Sequence, residues 1–304
     1  MDINDRCNAR CIFCSQKISG CERELSVSEA TRIFSELRSL ELRDITFAGG
    51  EPTLHSRIHD LVKKADSFGL RVGLVSNGIV FDTAFTERLL DSGCSEVALS
   101  VYGLSAKTHD LHTGVTGSFD KLMHTCQLIR ESGMILRINL LVTRYNFKEL
   151  MGNEGLRVFD EYFPALLRIT NLVPQGSATS CFFELRIEPD EYFRLISHLR
   201  ARKPSFLCSF QQYFSSLNPI YEELFAIDQS CTDALGIVPS IMKDGILLPC
   251  CYMSGDLKKF ASGTDIVVGH EDSKGRKHSQ CPVMSDYIPG IDATYACLHL
   301  ESYL

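Results

Sequence analysis

The feature that most limits how this chain can fold is an alternation of short apolar runs with amphipathic segments. "RDITFAGGEP" (43–52), "RVGLVSNG" (71–78), "EVALSVYG" (96–103), "ILRINLLVT" (135–143) and "LLRITNLVP" (166–174) read as buried strands that end in glycine or polar residues. Between them, 56–68, 82–93, 118–133, most of 146–162 and 188–203 carry apolar residues at helical spacing. A capping box, Ser26 with Glu29, opens an earlier helix along which Ile33, Phe34, Leu37 and Leu40 recur. Strand and helix repeat every 25–35 residues or so, the pattern of parallel strands joined by crossover helices. Six such units make a partial barrel or an open α/β sheet, too few to close an eight-stranded barrel. In either form the loops that follow the strands carry the chemistry.

The pattern changes after about residue 204. Helical periodicity weakens and cysteines return at 208, 231, 250, 251, 281 and 297, so the expected organisation is a barrel domain over 1–203 and a smaller irregular α+β domain over 204–304. Within the latter, "KDGILLPC" (243–250) reads as a tight turn and a strand ending at a cysteine. A net charge of −7 without a long basic run argues against a nucleic-acid partner. No stretch has the length of a membrane span, and residues 1–25 are polar and cysteine-rich, unlike a signal peptide. The expected location is the cytoplasm. In such a reducing compartment, thirteen cysteines point to metal or cluster ligation for the clustered ones rather than to disulfides.

"DRCNARCIFCSQ" (5–16) places Cys7, Cys11 and Cys14 in a C-x3-C-x2-C spacing. Structural zinc takes four ligands, and His55, His59 or a distant cysteine would have to complete such a site. A [4Fe–4S] cluster also usually takes four thiolates; three leave one iron open to something other than protein. An open coordination position separates a reactive centre from a structural one.

"CNARCIFC" (7–14) resembles the cluster loop of the radical S-adenosylmethionine (SAM) superfamily. The resemblance implies a partial (β/α)6 TIM-type barrel, a [4Fe–4S] cluster on Cys7, Cys11 and Cys14, and S-adenosylmethionine on its free iron. Reductive cleavage of that cofactor would give a 5′-deoxyadenosyl radical that abstracts hydrogen from substrate. "AGGEP" (48–52) resembles the family's element after its second strand, with Gly49, Gly50, Glu51 and Pro52 at the cofactor's methionine end and Glu51 fixing the loop. "SNG" (76–78) resembles the next element, with Ser76 and Asn77; "LSVYG" (99–103) resembles the fourth, in which Ser100 would meet ribose or methionine. "RINLLVT" with Asn146 resembles the fifth, making Arg137 or Asn139 a carboxylate contact, and "LVPQGSA" (172–178) the sixth, placing Val173 near adenine. These elements run in order over more than half the chain. On the residues alone, Arg137 inside an apolar strand needs an anionic partner, and a bound carboxylate or an ordinary Asp or Glu would both serve. Cys21, Cys94, Cys126, Cys181 and Cys208 lack ligand spacing and read as small packing residues.

Cys231 followed by Gly245-x4-Cys250 resembles the start of the superfamily's SPASM and twitch auxiliary domains. The resemblance implies one auxiliary [4Fe–4S] cluster on Cys231, Cys250, Cys281 and Cys297, with Cys251 able to replace one of them; zinc is the structural alternative. In an extended strand Cys251 would face away from Cys250, where its thiol could return hydrogen to a substrate radical or serve only as a buried packing residue. Only "MDIN" precedes Asp5, so either the first strand is clipped or the natural chain begins upstream. The expected function is a radical SAM oxidoreductase that acts on an unactivated C–H bond of a small metabolite or short peptide. Flavodoxin or ferredoxin would be its electron donor. Redox-neutral epimerisation is the alternative within enzymes, and a non-catalytic iron–sulfur or zinc scaffold or sensor is the rival from another class.

Overall fold

The computed structural model describes residues 1–15, 23–39, 43–153, 155–173, 176–202 and 204–211, with three two-residue strands at 240–241, 247–248 and 302–303. The expectations for Cys21, Cys231, Cys250, Cys251, Cys281 and Cys297 lie outside the described residues.

Six parallel strands lie side by side in chain order: β1 (Asp44–Phe47), β2 (Arg71–Ser76), β3 (Cys94–Val101), β4 (Ile135–Val142), β5 (Leu166–Asn171) and β6 (Cys208–Gln211). Ser302–Tyr303 adds an antiparallel edge beside β6. Before β1, the N-terminal segment supplies a rudiment of one more strand: Asp2 bridges Ala48 in parallel, and Ile3 N–H donates to Ala48 O at 3.0 Å. The α/β partial barrel expected from the repeat is the fold observed. Leu247–Leu248, inside the expected turn and strand, pairs antiparallel with Ser240–Ile241.

The helices are α1 (Val27–Ser39), α2 (Ile58–Ser67), α3 (Thr83–Asp91), α4 (Ala106–Thr113), α5 (Ser118–Ser132), α6 (Phe147–Leu150), α7 (Ala178–Leu185) and α8 (Pro189–Ala201). The Ser26–Glu29 capping box forms as read: Glu29 N–H donates to Ser26 Oγ at 3.2 Å and Ser26 N–H to Glu29 Oε2 at 2.9 Å. Asp82 caps α3 through Phe85 N–H at 2.7 Å.

Alternation along each strand divides the sheet into two chemically different faces. Val72, Leu74, Val97, Leu99, Val101, Leu136, Ile138, Leu140, Val142, Leu167 and Ile169 are buried under the helices. There they meet Leu61, Leu89, Leu122, Ile129, Leu195 and Leu199 in one core. The inner face carries Thr46, Gly73, Glu96, Ser100, Arg137, Asn139, Arg168 and Thr170, mostly half-buried. A closed barrel fills that space with bulky branched residues. Here polar groups share it with Val75, Ala98 and Leu141, so the concave side can offer hydrogen bonds to a ligand. Cys94, Cys126 and Cys208 are buried packing residues, as their spacing suggested.

Candidate active site

The site is assembled where β1, β2 and β3 end and the cysteine loop crosses them. Asn4–Arg6 lies directly on the "GGE" turn: Gly50 N–H donates to Asn4 O at 2.9 Å, Glu51 N–H to Arg6 O at 2.7 Å, and Asn4 Nδ2 to Glu51 O at 2.9 Å. A Cβ on Gly50 would stand 2.3 Å from Arg6 O, and one on Gly49 2.5 Å from Asn4 O. Both glycines are therefore required by close backbone approach, and what they admit is the segment that leads into Cys7.

Glu51 is buried and its carboxylate collects four donors. Oε1 accepts from Thr53 N–H (3.1 Å), Thr53 Oγ1 (2.7 Å) and Ser76 Oγ (2.8 Å), and Oε2 from Asn77 N–H (2.8 Å). Burial raises its carboxyl pKa, while these donors pull it the other way. Pro52 is buried at the start of the short 3-10 turn Pro52–Leu54 that follows. Ser76 is spent on this network, since its Oγ also accepts from Gly78 N–H at 3.1 Å. The Asn77 side chain turns to the cysteine loop. Its Nδ2 donates to Asn8 Oδ1 at 2.7 Å and reaches Cys7 Sγ at 3.9 Å, and its Oδ1 accepts from Ile79 N–H at 3.0 Å.

The rest of the cysteine loop is fastened from two other sides. Arg10 N–H donates to Thr113 O (2.8 Å) and Ile12 N–H to His112 O (3.1 Å) at the end of α4. At the start of α7, Ser177 N–H donates to Cys14 O at 2.8 Å, and Cys181 Sγ lies 3.3 Å from Ile12 O. Gly176, at φ +59°, packs so closely that a Cβ would stand 2.4 Å from Cys14 O. Phe13 is buried with its ring 4.7 Å from that of Tyr102, edge to face, and 5.4 Å from that of His112.

Cys7, Cys11 and Cys14 form no disulfide among the described residues, and each is half-buried. Burial, and then the charges of Cys14 and Cys7, push the Cys11 thiol up to about 12; burial likewise raises Cys7, with Glu51 and Cys14 adding to it. Burial and neighbouring charge disfavour the thiolates of Cys7 and Cys11, so the anionic form of this donor set needs a bound cation. Among the described residues, no three His, Cys, Asp or Glu side chains are grouped as ligands of a single ion. A thiolate triad on a loop braced from four sides fits a polynuclear iron–sulfur group, for which cysteine is the usual ligand.

Of the other residues singled out in the sequence, Ser100 and Asn139 are register partners on β3 and β4, and Asn139 in turn faces Arg168 on β5. Arg137 lies one pleat before Asn139, and its guanidinium meets Glu96 of β3 at 2.9 Å, so an ordinary carboxylate is its partner. Val173 is buried just past the end of β5. Asn146 holds the strand exits together: Nδ2 donates to Tyr102 O (2.9 Å) and Leu141 O (2.7 Å), and Oδ1 accepts from Thr143 N–H (2.8 Å).

Tyr102 escaped the sequence reading. Half-buried Tyr102 shares a hydrogen bond with the Ser100 hydroxyl and feels the charges of all three cysteines; desolvation is the main reason its pKa is well above the usual phenol value. Its position inside "SVYG", at a strand exit, was the only signal available.

The family model for the radical SAM superfamily matches residues 1–151. The AdoMet-dependent heme synthase of Oleidesulfovibrio alaskensis is 25% identical over 275 residues, which are 84% of this chain and 69% of that protein. The mycofactocin maturase MftC of Mycobacterium tuberculosis is 28% identical, covering 65% of this chain and 50% of its own. The PqqA peptide cyclase of Granulibacter bethesdensis is 28% identical, covering 49% and 40%. The chain thus spans about half the length of several curated relatives it matches. Among solved structures, Streptococcus suis SuiB bound to its precursor peptide SuiA superposes with a TM-score of 0.65 at 19% identity, over 82% of this chain and 58% of SuiB. That likeness concerns the fold. With the matched sequence, the half-barrel and the cysteine loop seated on its strand ends, residues 1–151 constitute a radical SAM superfamily domain.

Proposed function

We propose that this protein is a radical SAM enzyme whose [4Fe–4S] cluster is held by Cys7, Cys11 and Cys14. The observation that carries this reading is the placement of three half-buried cysteines on one short loop anchored by the strand-exit turns at Gly49–Pro52 and Ser76–Asn77. Cys7, Cys11 and Cys14 would hold the cluster, which when bound would supply one-electron reduction of S-adenosylmethionine for radical hydrogen abstraction from substrate. The chain's own residues hold and shield. Glu51 locks the two turns to each other, Phe13 and Tyr102 cover the loop with aromatic surface, and the inner strand face offers polar groups to a substrate. Ser100, Asn139 and Val173, placed along the strand ends and the inner face, are the proposed contacts of S-adenosylmethionine or substrate, and Arg137, paired with Glu96, is assigned to the sheet.

The proposed reaction class is oxidation or bond formation at an unactivated C–H position, with an external electron donor of the flavodoxin or ferredoxin kind. The relatives' names span a peptide cyclase and a heme synthase, which supports a short peptide or a small metabolite as substrate. An auxiliary cluster on Cys231, Cys250, Cys281 and Cys297, and a hydrogen-donor role for Cys251, are proposed from the sequence alone. The test is anaerobic reconstitution with iron and sulfide, followed by dithionite and S-adenosylmethionine. The proposal expects 5′-deoxyadenosine from the wild-type chain and none from Cys7→Ala, Cys11→Ala or Cys14→Ala. A reconstituted wild-type protein that yields none is a scaffold or sensor instead.

A further inference from the structure

We infer that the Asn77 side-chain amide is a positioning residue for Cys7: it donates a hydrogen bond to the cysteine sulfur and thereby sets the reduction potential of the cluster proposed above. The inference rests on that functional reading.

The amide's orientation is fixed by its neighbours. Ile79 N–H occupies Oδ1 at 3.0 Å, so the NH2 end must face the cysteine loop. That NH2 has two hydrogens. One goes to Asn8 Oδ1 at 2.7 Å, and the other faces Cys7 Sγ, with Nδ2 3.9 Å away. Upstream, the Asn77 main chain is held by Glu51 Oε2 at 2.8 Å, and Glu51 also grips Ser76. The amide is thus carried on a rigid chain of buried bonds, with no exposed rotor to reorganise. Cys7 Sγ receives a second donor from Ala9 N–H at 3.4 Å.

A neutral thiol accepts weakly. A thiolate accepts through a charge-assisted bond, and the bond strengthens as negative charge on the sulfur grows. Reduction of an iron–sulfur cluster adds one electron, part of whose charge reaches the ligand sulfurs, so N–H donors there favour the reduced state. With Nδ2, Oδ1 and the main-chain N–H all committed to protein partners, the Asn77 side chain is directed at the cysteine loop rather than at S-adenosylmethionine.

The test uses the full reconstituted chain without S-adenosylmethionine. In wild-type protein grown on ¹⁵N-asparagine and reduced with dithionite, pulsed EPR is expected to show ¹⁵N couplings to the cluster, of which one is lost in Asn77→Leu while those from Asn8 remain. A redox titration followed by EPR is expected to move the midpoint of Asn77→Leu to more negative potential. At a fixed potential the ratio of reduced to oxidised cluster should fall about tenfold, ~59 mV for a one-electron couple. If Asn77→Leu takes up no iron, Asn77→Ser, whose short hydroxyl can still receive Ile79 N–H, carries the comparison. Labelled wild-type and Asn77→Leu proteins with the same ¹⁵N couplings overturn the inference. So does an iron-replete variant with an unchanged midpoint, or one whose only change is weaker S-adenosylmethionine binding by calorimetry. Failure of the functional reading looks different: the wild-type chain itself takes up no iron or makes no 5′-deoxyadenosine.

Discussion

The main-chain N–H of Asn77 donates to Oε2 of Glu51 at 2.8 Å, joining the turn after β2 to the turn after β1 through a fully buried carboxylate. Glu51→Ala would leave Thr53, Ser76 and Asn77 donors facing one another without an acceptor. Unsatisfied buried donors cost ~1–3 kcal/mol each before relaxation, so a net loss of about 3 kcal/mol is expected. Urea unfolding measures it. Glu51→Gln should recover little, because its NH2 end would meet donors. Iron uptake should fall in both variants, because the cysteine loop rests on the same turn.

The close approaches at Gly50 and Gly176 give a sharper prediction. Neither Arg6 O nor Cys14 O, which a Cβ would meet at 2.3 and 2.4 Å, is the flexible end of a side chain. Gly50→Ala and Gly176→Ala must therefore shift backbone at opposite ends of the cysteine loop. Each should cost roughly 2–4 kcal/mol and lower iron per chain after reconstitution. Gly117→Ala, with nothing within 4 Å of its Cβ but φ +79°, isolates the backbone-strain component and should leave iron content unchanged.

What could be read from the sequence followed the chemistry of burial. β3 and β4 were legible because one face of each is continuously apolar. β6, four residues reading "CSFQ", presents no such run, and its partner is set only by the sheet it joins. α4 was missed for a related reason: the face it buries is His109, His112 and Thr113, invisible to hydrophobic periodicity. At the site, the cysteine spacing and the glycine turn were legible as motifs. The Asn77–Asn8 bond links residues 69 apart, and the Arg137–Glu96 pair depends on strand register, so neither partner could be named in advance.

Tyr102 tests how much the aromatic cover matters. Tyr102→Phe loses the phenol's bond to Ser100 but keeps the ring contact with Phe13, and should cost about 1 kcal/mol with iron content intact. Tyr102→Ala removes the ring as well. About 3–4 kcal/mol and a partial loss of reconstituted cluster are expected, measured by unfolding and by iron counting.

His109 gives a pH dependence of stability. It is fully buried, its Nδ1 accepts Tyr102 N–H at 3.2 Å, and burial lowers its pKa from the ordinary 6.5 to about 4. The folded state therefore prefers neutral imidazole. Above about pH 6.5 the ring is neutral in both states and the contribution is complete; as pH falls from there to about 4, the unfolded chain binds a proton that the folded chain refuses. The loss reaches up to ~3 kcal/mol at the acid end. His55, His59 and His112 are lowered by burial too, so His109→Gln will keep an acid slope. The check is the difference: the stability advantage of wild type over His109→Gln, measured by urea unfolding, should shrink as pH drops from 7 to 4.5.

The Arg137–Glu96 pair can be examined by a double-mutant cycle. The guanidinium is 34% exposed and the carboxylate 14%, so the pair is neither a surface bridge of negligible value nor a fully desolvated one. Removing one partner leaves the other charge on the half-buried inner face. Arg137→Met and Glu96→Gln should each cost about 1–2 kcal/mol, with the double variant costing less than their sum. If the guanidinium serves the sheet through Glu96, S-adenosylmethionine affinity by calorimetry should be the same in Arg137→Met and in wild type. A large loss of affinity in Arg137→Met, with additive stabilities in the cycle, would place the cofactor's carboxylate on Arg137 and leave Glu96 as a bystander.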